Sequence, residues 1–205
     1  MIGLTGGIAT GKSTVAGMLQ ERGAYVLDAD VLARSVIERP SKGYRQVVKA
    51  FPEAVRADGS LDRKKLGSII FNSNERRRVL EGIIHPLVIQ RMQVEGRAAE
   101  QDGHIVVCDI PLLFETNCQE WLDSVWVVYT DPRVQRQRLL ARDGMEADEA
   151  ERRIQAQMPL EDKRVRADAV IDNSDSLQET EEQVEQLWHA QLRRRQHADN
   201  STHRP

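Results

Sequence analysis

The sequence predicts an α/β protein, a mostly parallel sheet covered by helices, with a helical insertion after the second strand. Three observations predict it. Short apolar runs alternate with stretches of helical period towards both ends of the 205-residue chain, the pattern of a parallel sheet with helices on its faces. A glycine-rich turn, TGGIATGKST, lies between the first apolar run and the first helical stretch. From about residue 31 to residue 101 strand-like runs are absent and only helical periodicity remains.

In chain order, IGLT is the first strand and runs into the glycine turn. STVAGMLQERG then reads as a helix with Val15, Met18 and Leu19 on one face and Gly23 as its stop. AYVLDAD is a second short strand ending in acid. The insertion follows as LARSVIE, YRQVVKAF, LDRKKLGSIIF and ERRRVLEGIIHPLVIQRMQVEG, with turn signals at Pro40, at Asp58 and Gly59, and at residues 72–74. Pro86 is expected to disrupt the last of these helices. HIVVCDI and SVWVVYT resume the strand pattern, DPRVQRQRLLAR is helical, AVIDN is a final strand and LQETEEQVEQLWHAQLRRR a closing helix. The expected organisation is a core of residues 1–30 and 102–195, an inserted helical domain of 31–101, and a polar, disordered tail at 196–205.

Composition narrows the function classes. Hydrophobic residues make up 40% and charged residues 30% of the chain, the balance of an ordinary water-soluble protein. The longest apolar run, HIVVCDIPLLF, contains an Asp and is shorter than the roughly 18 residues a membrane span requires. MIGLTGG has no basic region ahead of an apolar stretch, so no secretory signal is expected. The two cysteines, Cys108 and Cys118, have neither metal-site nor disulfide-scaffold spacing and fit a reduced, cytoplasmic protein. A net charge of −3 argues against a general grip on nucleic acid. The basic clusters, such as RRR at 76–78 and RVQRQRLLAR at 133–142, read by themselves as solvated helix faces. Oligomeric state is not legible.

Gly6, Gly11, Lys12 and Ser13 satisfy G-x-x-x-x-G-K-[ST], the phosphate-binding P-loop. Glycines let the backbone turn its N–H groups towards an anion, and the helix that follows adds the positive end of its dipole. Lys12 is expected on the β- and γ-phosphates of ATP, and the Ser13 hydroxyl on Mg²⁺. The second strand then delivers two carboxylates, Asp28 and Asp30, and an acceptor hydroxyl needs such a group to take its proton. Asp30 also suits the N-cap of the helix that follows. Asp109 ends its strand where P-loop enzymes place the acid that supports Mg²⁺ through water, although strand-end acids also cap turns. Parallel sheets gather ligands at their strands' carboxyl ends, so the glycine loop, residues 28–30, 109–115 and 172–173 are expected to converge. His85 reads equally as a substrate contact or a core histidine. Arg34 and Arg63 have the geometry for acceptor phosphates.

GGIATGKSTVA, DADVLAR, LDRKKLG, IIHPLV, DIPLLFE, RLLARDGM, QAQMPLEDKR and ADAVIDN, in this order and spacing, resemble the dephospho-coenzyme A kinase family over residues 1–188. The resemblance implies a P-loop kinase core, an inserted helical domain that holds the acceptor, and a mobile lid over ATP at 137–160. It implies transfer of the γ-phosphoryl group of ATP to the ribose 3′-hydroxyl of dephospho-coenzyme A, giving coenzyme A and ADP, with Mg²⁺ as cofactor. By position it assigns the general base to Asp30. The phosphate loop falls on Gly6, Gly7, Ile8, Ala9, Thr10, Gly11, Lys12, Ser13 and Thr14, the lid arginines are Arg138 and Arg142, and an adenine contact is Asn173. The chain departs from the family's usual pattern at Ala9-Thr10, at Asp175 in place of a glycine, and at Phe51-Pro52. Another small-molecule kinase on the same core, or a non-catalytic nucleotide switch, would share the P-loop; the helical insertion and the paired acids separate these readings.

Overall fold

The structure is a computed structural model that describes residues 1–202, with side chains up to residue 197. Its backbone forms two compact units, one of Met1–Leu27 with the chain from Ala99 onward, the other Asp28–Ala98.

The larger unit is built on a five-stranded parallel sheet. Its strands are β1 (Ile2–Gly6), β2 (Tyr25–Asp28), β3 (Val106–Asp109), β4 (Ser124–Tyr129) and β5 (Ala169–Asp172), in the order β2-β3-β1-β4-β5. All of β1 and β3 and the inner residues of β4 are buried, as expected for central strands covered on both faces. Helices α1 (Lys12–Glu21) and α9 (Leu177–Thr202) share one core with the sheet, in which Val15, Met18, Leu19, Val184 and Trp188 meet Ile2, Leu4, Val107, Trp126 and Ile171. Parallel register pairs Leu4 with Asp109, Gly6 with Val128, and Tyr129 with Asp172. The glycine loop, Asp109 and Asn173 therefore leave the sheet at the same end. Beyond the sheet lie α6 (Pro132–Asp143), α7 (Ala147–Gln155) and the short α8 (Leu160–Val165), the last without a distinct periodic signal in the sequence.

The smaller unit is helical: α2 (Ala29–Ser35), α3 (Lys42–Ala50), α4 (Arg63–Phe71) and α5 (Asn74–Gln101), whose last turn enters the larger unit. Val47, Phe51, Ala54 and Met92 are almost fully buried, and the Arg76 guanidinium lies 4.2 Å over the Phe51 ring. A single antiparallel bridge, Val55 to Leu61, closes the turn at Asp58-Gly59.

Two expectations are corrected. Pro86 does not break α5, which runs unbroken for 28 residues with Pro86 inside it. The carbonyl that proline leaves without a donor belongs to Gly82, which is exposed and so is open to solvent rather than buried without a partner. The disordered tail expected from Gln196 is helical as far as Thr202, because α9 continues without a break; residues 203–205 of that tail lie outside the described residues.

Candidate active site

The loop between β1 and α1 is held from within and from both flanks. Thr10, fully buried, donates its hydroxyl (2.9 Å) and its N–H (3.3 Å) to the Gly7 carbonyl. Ala9 adopts φ +60° and Gly11 φ +87°, left-handed values that cost little only for glycine. A side chain at Gly11 would meet Asn173 Nδ2 at 2.1 Å, so that glycine is required twice. Thr14 and Val15 return their N–H groups to the Gly11 carbonyl. The N–H groups of Ala9, Gly11, Lys12 and Ser13 have no protein partner. Left-handed residues followed by the open first turn of a helix make an anion-binding concavity. The side chain of Ser13, also without a protein partner, is exposed on that first turn.

Two of the expected phosphate-binding residues already have protein partners. The polar groups of Thr10 are spent on the shape of the loop, and the N–H of Ile8 is taken by Gln157 Oε1 at 2.8 Å. The reason is local: a loop that keeps several amides open needs others closed to hold its form.

Lys12 reaches across to Asp109 and forms an ion pair with its Oδ1. Both side chains are largely buried, and the β1–β3 register brings Asp109 to this position. The adjoining segment is anchored by Lys163 of α8, fully buried, whose Nζ pairs with Glu115 Oε1 at 2.8 Å and donates to the Pro111 carbonyl at 3.2 Å. Thr5 donates to the same carbonyl at 3.1 Å, and Glu115 also accepts the Met158 N–H at 3.0 Å.

Asn173 joins three elements. Its Nδ2 donates to the Thr10 carbonyl at 2.8 Å, its Oδ1 accepts from the Thr180 hydroxyl at 2.9 Å, and its own carbonyl receives Arg138 Nη1 at 2.7 Å. Arg138 is thus tied to the phosphate loop through one residue. Arg142, one turn further along α6, is directed elsewhere: it makes a two-pronged pair with Asp143 at 2.6 and 2.9 Å and is mostly exposed. That contact holds the Asp143 carboxyl below its ordinary value. Spacing of four placed the two arginines on one helix face, but the neighbouring Asp143 captures the second. Asp175, in place of a glycine, causes no strain, since among the described non-glycine residues only Ala9 and Asn117 have positive φ.

In the smaller unit, the N-cap of α2 is Asp28, not Asp30. Asp28 Oδ1 accepts the N–H groups of Asp30 at 2.7 Å and Val31 at 3.0 Å. This leaves the exposed Asp30 side chain free of the capping role expected of it. Arg34 and Arg63 come together, with Arg63 Nη2 3.5 Å from the Arg34 carbonyl and 3.2 Å from Glu38. His85 is half-buried on α5 and joins neither of them.

Gln135, Gln157, Lys163 and Thr180 were not singled out from the sequence. Isolated polar residues in helical runs read as solvent-facing; the signal for Gln157 and Lys163 was their place inside QAQMPLEDKR, one of the stretches that carried the family resemblance.

The family description "Dephospho-CoA kinase" matches residues 1–179. The chain belongs to the dephospho-CoA kinase family. Members catalyse the ATP-dependent phosphorylation of dephospho-CoA to CoA, and that is the activity of this chain. It is 49% identical over 185 residues to the dephospho-CoA kinase of Geobacillus kaustophilus (strain HTA426), covering 89% of this chain and 92% of the relative. A crystal structure from Thermus thermophilus superposes with a TM-score of 0.78 at 37% identity, over 93% of this chain and 96% of the other. The dephospho-CoA kinase from Campylobacter jejuni gives 0.71 at 26%, over 92% and 94%. The sheet and its flanking helices are those of the P-loop kinases.

Proposed function

We propose that this kinase works by direct in-line transfer to the ribose 3′-hydroxyl, with its roles divided among the residues described above. The phosphates of ATP take the open N–H groups of Ala9, Gly11, Lys12 and Ser13. Gly7 and Thr14 border that row, and Asn173 adjoins the adenine. The Lys12 ammonium moves from Asp109 to the β- and γ-phosphates, and Arg138 offers its remaining N–H donors to the charge on the transferring group. Asp30 accepts the proton of the 3′-hydroxyl as its oxygen bonds to the γ-phosphorus. The bond from that phosphorus to the β–γ bridging oxygen breaks, and ADP leaves. Arg34 and Arg63 bind phosphates of the acceptor, and His85 borders it. The helical unit is the acceptor domain and the segment 137–160 the lid, which keeps water from the γ-phosphate. In this reading Arg142 leaves Asp143 for ATP when the lid closes.

Mg²⁺ fits the residues present. It takes one or two protein ligands and completes its shell with water and phosphate oxygens, and the unengaged Ser13 hydroxyl at the start of α1 together with the Asp109 carboxylate offers that donor set. When bound, it supplies charge neutralisation on the β- and γ-phosphates. We place the enzyme in the cytoplasm, a reading supported by two free, buried cysteines. Among the described residues no helix is long and apolar enough to cross a membrane.

The observation that carries the reading is the row of unpaired loop amides beside the Lys12–Asp109 pair. The test is transfer of labelled γ-phosphate from Mg-ATP with dephospho-CoA, adenosine and AMP as alternative acceptors. Label in CoA alone is expected. Label on adenosine or AMP, or phosphate release independent of acceptor, would overturn the assigned acceptor site.

A further inference from the structure

Both backbone polar groups of Ile8, in the middle of the phosphate loop, are taken by side-chain amides. Gln135, 4% exposed near the start of α6, donates Nε2 to the Ile8 carbonyl at 2.8 Å. Gln157, in the turn between α7 and α8, accepts the Ile8 N–H on Oε1 at 2.8 Å. Ile8 itself is only half-buried, so water would satisfy its amide and carbonyl at little cost; satisfying the backbone does not account for two ordered glutamines. What they achieve is positional. Gln135 precedes the segment that carries α7, and Gln157 follows it, so both ends of that segment are tied to one residue of the loop. The first tie also excludes a side chain at Gly7, whose Cβ would stand 2.7 Å from Gln135 Nε2. Next to the second, Met158 is fixed to Glu115, and Glu115 to the buried Lys163.

We propose that Gln135 and Gln157 are positioning residues that clasp Ile8 and so couple the conformation of the phosphate loop to the placement of the lid. The inference rests on the reading of this loop as the ATP site. A loop shaped by bound phosphate sets the Ile8 peptides, and through them the entry to the lid at Gln135 and its return at Gln157. A lid released from either root leaves the loop less ordered and the γ-phosphate open to water.

The experiment uses Gln135→Met, Gln157→Met and the double variant, since Met is close to Gln in volume and lacks its amide. Each single variant is expected to raise KM for ATP about tenfold and to raise acceptor-independent ATP hydrolysis relative to transfer, with KM for dephospho-CoA within twofold of wild type. The double variant should be little worse than the poorer single one, because breaking either bond opens the clasp. KM for ATP and the hydrolysis ratio unchanged in both single variants would overturn the proposal. So would losses that multiply in the double variant, or losses tracked by an equal fall in thermal stability with no change in the hydrolysis ratio. Wild-type enzyme is the control: its failure to phosphorylate dephospho-CoA would overturn the reading of the site, whereas active wild type with indistinguishable variants overturns the clasp alone.

Discussion

Asp28 and Asp30 stand two residues apart and do different work. The first is half-buried and fixed, its Oδ1 holding two amides at the start of α2; the second is exposed and spared that duty. Asp30→Asn should lower kcat by about 10² to 10⁴, the range of general acid–base assistance, with ATP affinity within twofold of wild type. A steady-state assay with a nucleotide titration reads both, and an unchanged kcat would sink the assignment of the base. Asp28→Ala should instead cost about 1 kcal/mol of stability, the worth of an N-cap, measured by urea unfolding. Both acids are legible in AYVLDAD, but which of them caps α2 is not. Which acid caps depends on the residue at which β2 gives way to helix, and strand pairing rather than local composition sets that point.

Among the elements, α8 is too short to be legible in the sequence, yet it carries the only fully buried lysine among the described residues. Lys163 holds Glu115 and the Pro111 carbonyl, and so fixes the segment that leaves β3 after Asp109. Lys163→Met removes a charge and leaves its partner behind. The expected cost is about 3 kcal/mol, at the low end for a broken buried pair because Glu115 retains 22% exposure and its bond to Met158. For a chain of this length that lowers Tm by about 6 to 12 °C, and a shift below about 2 °C would show that the pair holds nothing. Six residues give too little periodicity to reveal a helix, and a lysine in sequence reads as exposed until packing encloses it. The opposite error occurred in α5, where Pro86 signalled a break that the exposed backbone of Gly82 makes unnecessary.

At the scale of the whole molecule, the site draws on loop, strand ends and two further helices, so ligand binding and stability are linked. A nucleotide at one hundred times its Kd should stabilise the fold by about 2.7 kcal/mol, equivalent to a rise in Tm of about 5 to 11 °C. Thermal unfolding with and without Mg-ADP measures it; no shift would mean that the row of open amides does not hold phosphate. Alkaline pH should act through Cys108, on the buried strand β3, whose thiol burial pushes up from 9.0 to about 12. A raised value favours the protonated thiol in the folded state. Stability from this source is therefore complete below pH 9 and is lost as pH rises towards 12. Cys108→Ala should flatten that part of the profile, and an identical slope in the variant would refute the assignment.

The amino-acid sequence by itself determined the class of fold, the phosphate loop, the acidic end of β2 and the family. These rest on local patterns: period two against period 3.6, glycines spaced about a lysine, acids at the ends of apolar runs. Only the tertiary structure decided the strand order β2-β3-β1-β4-β5, the pairing of Lys12 with Asp109, and the convergence of Gln135 and Gln157 on Ile8. The physical reason is that each of these is a choice among polar partners of similar strength. A hydrogen bond or ion pair contributes little net energy in water, so the partner that wins is the one that packing of the sheet and helices brings within reach.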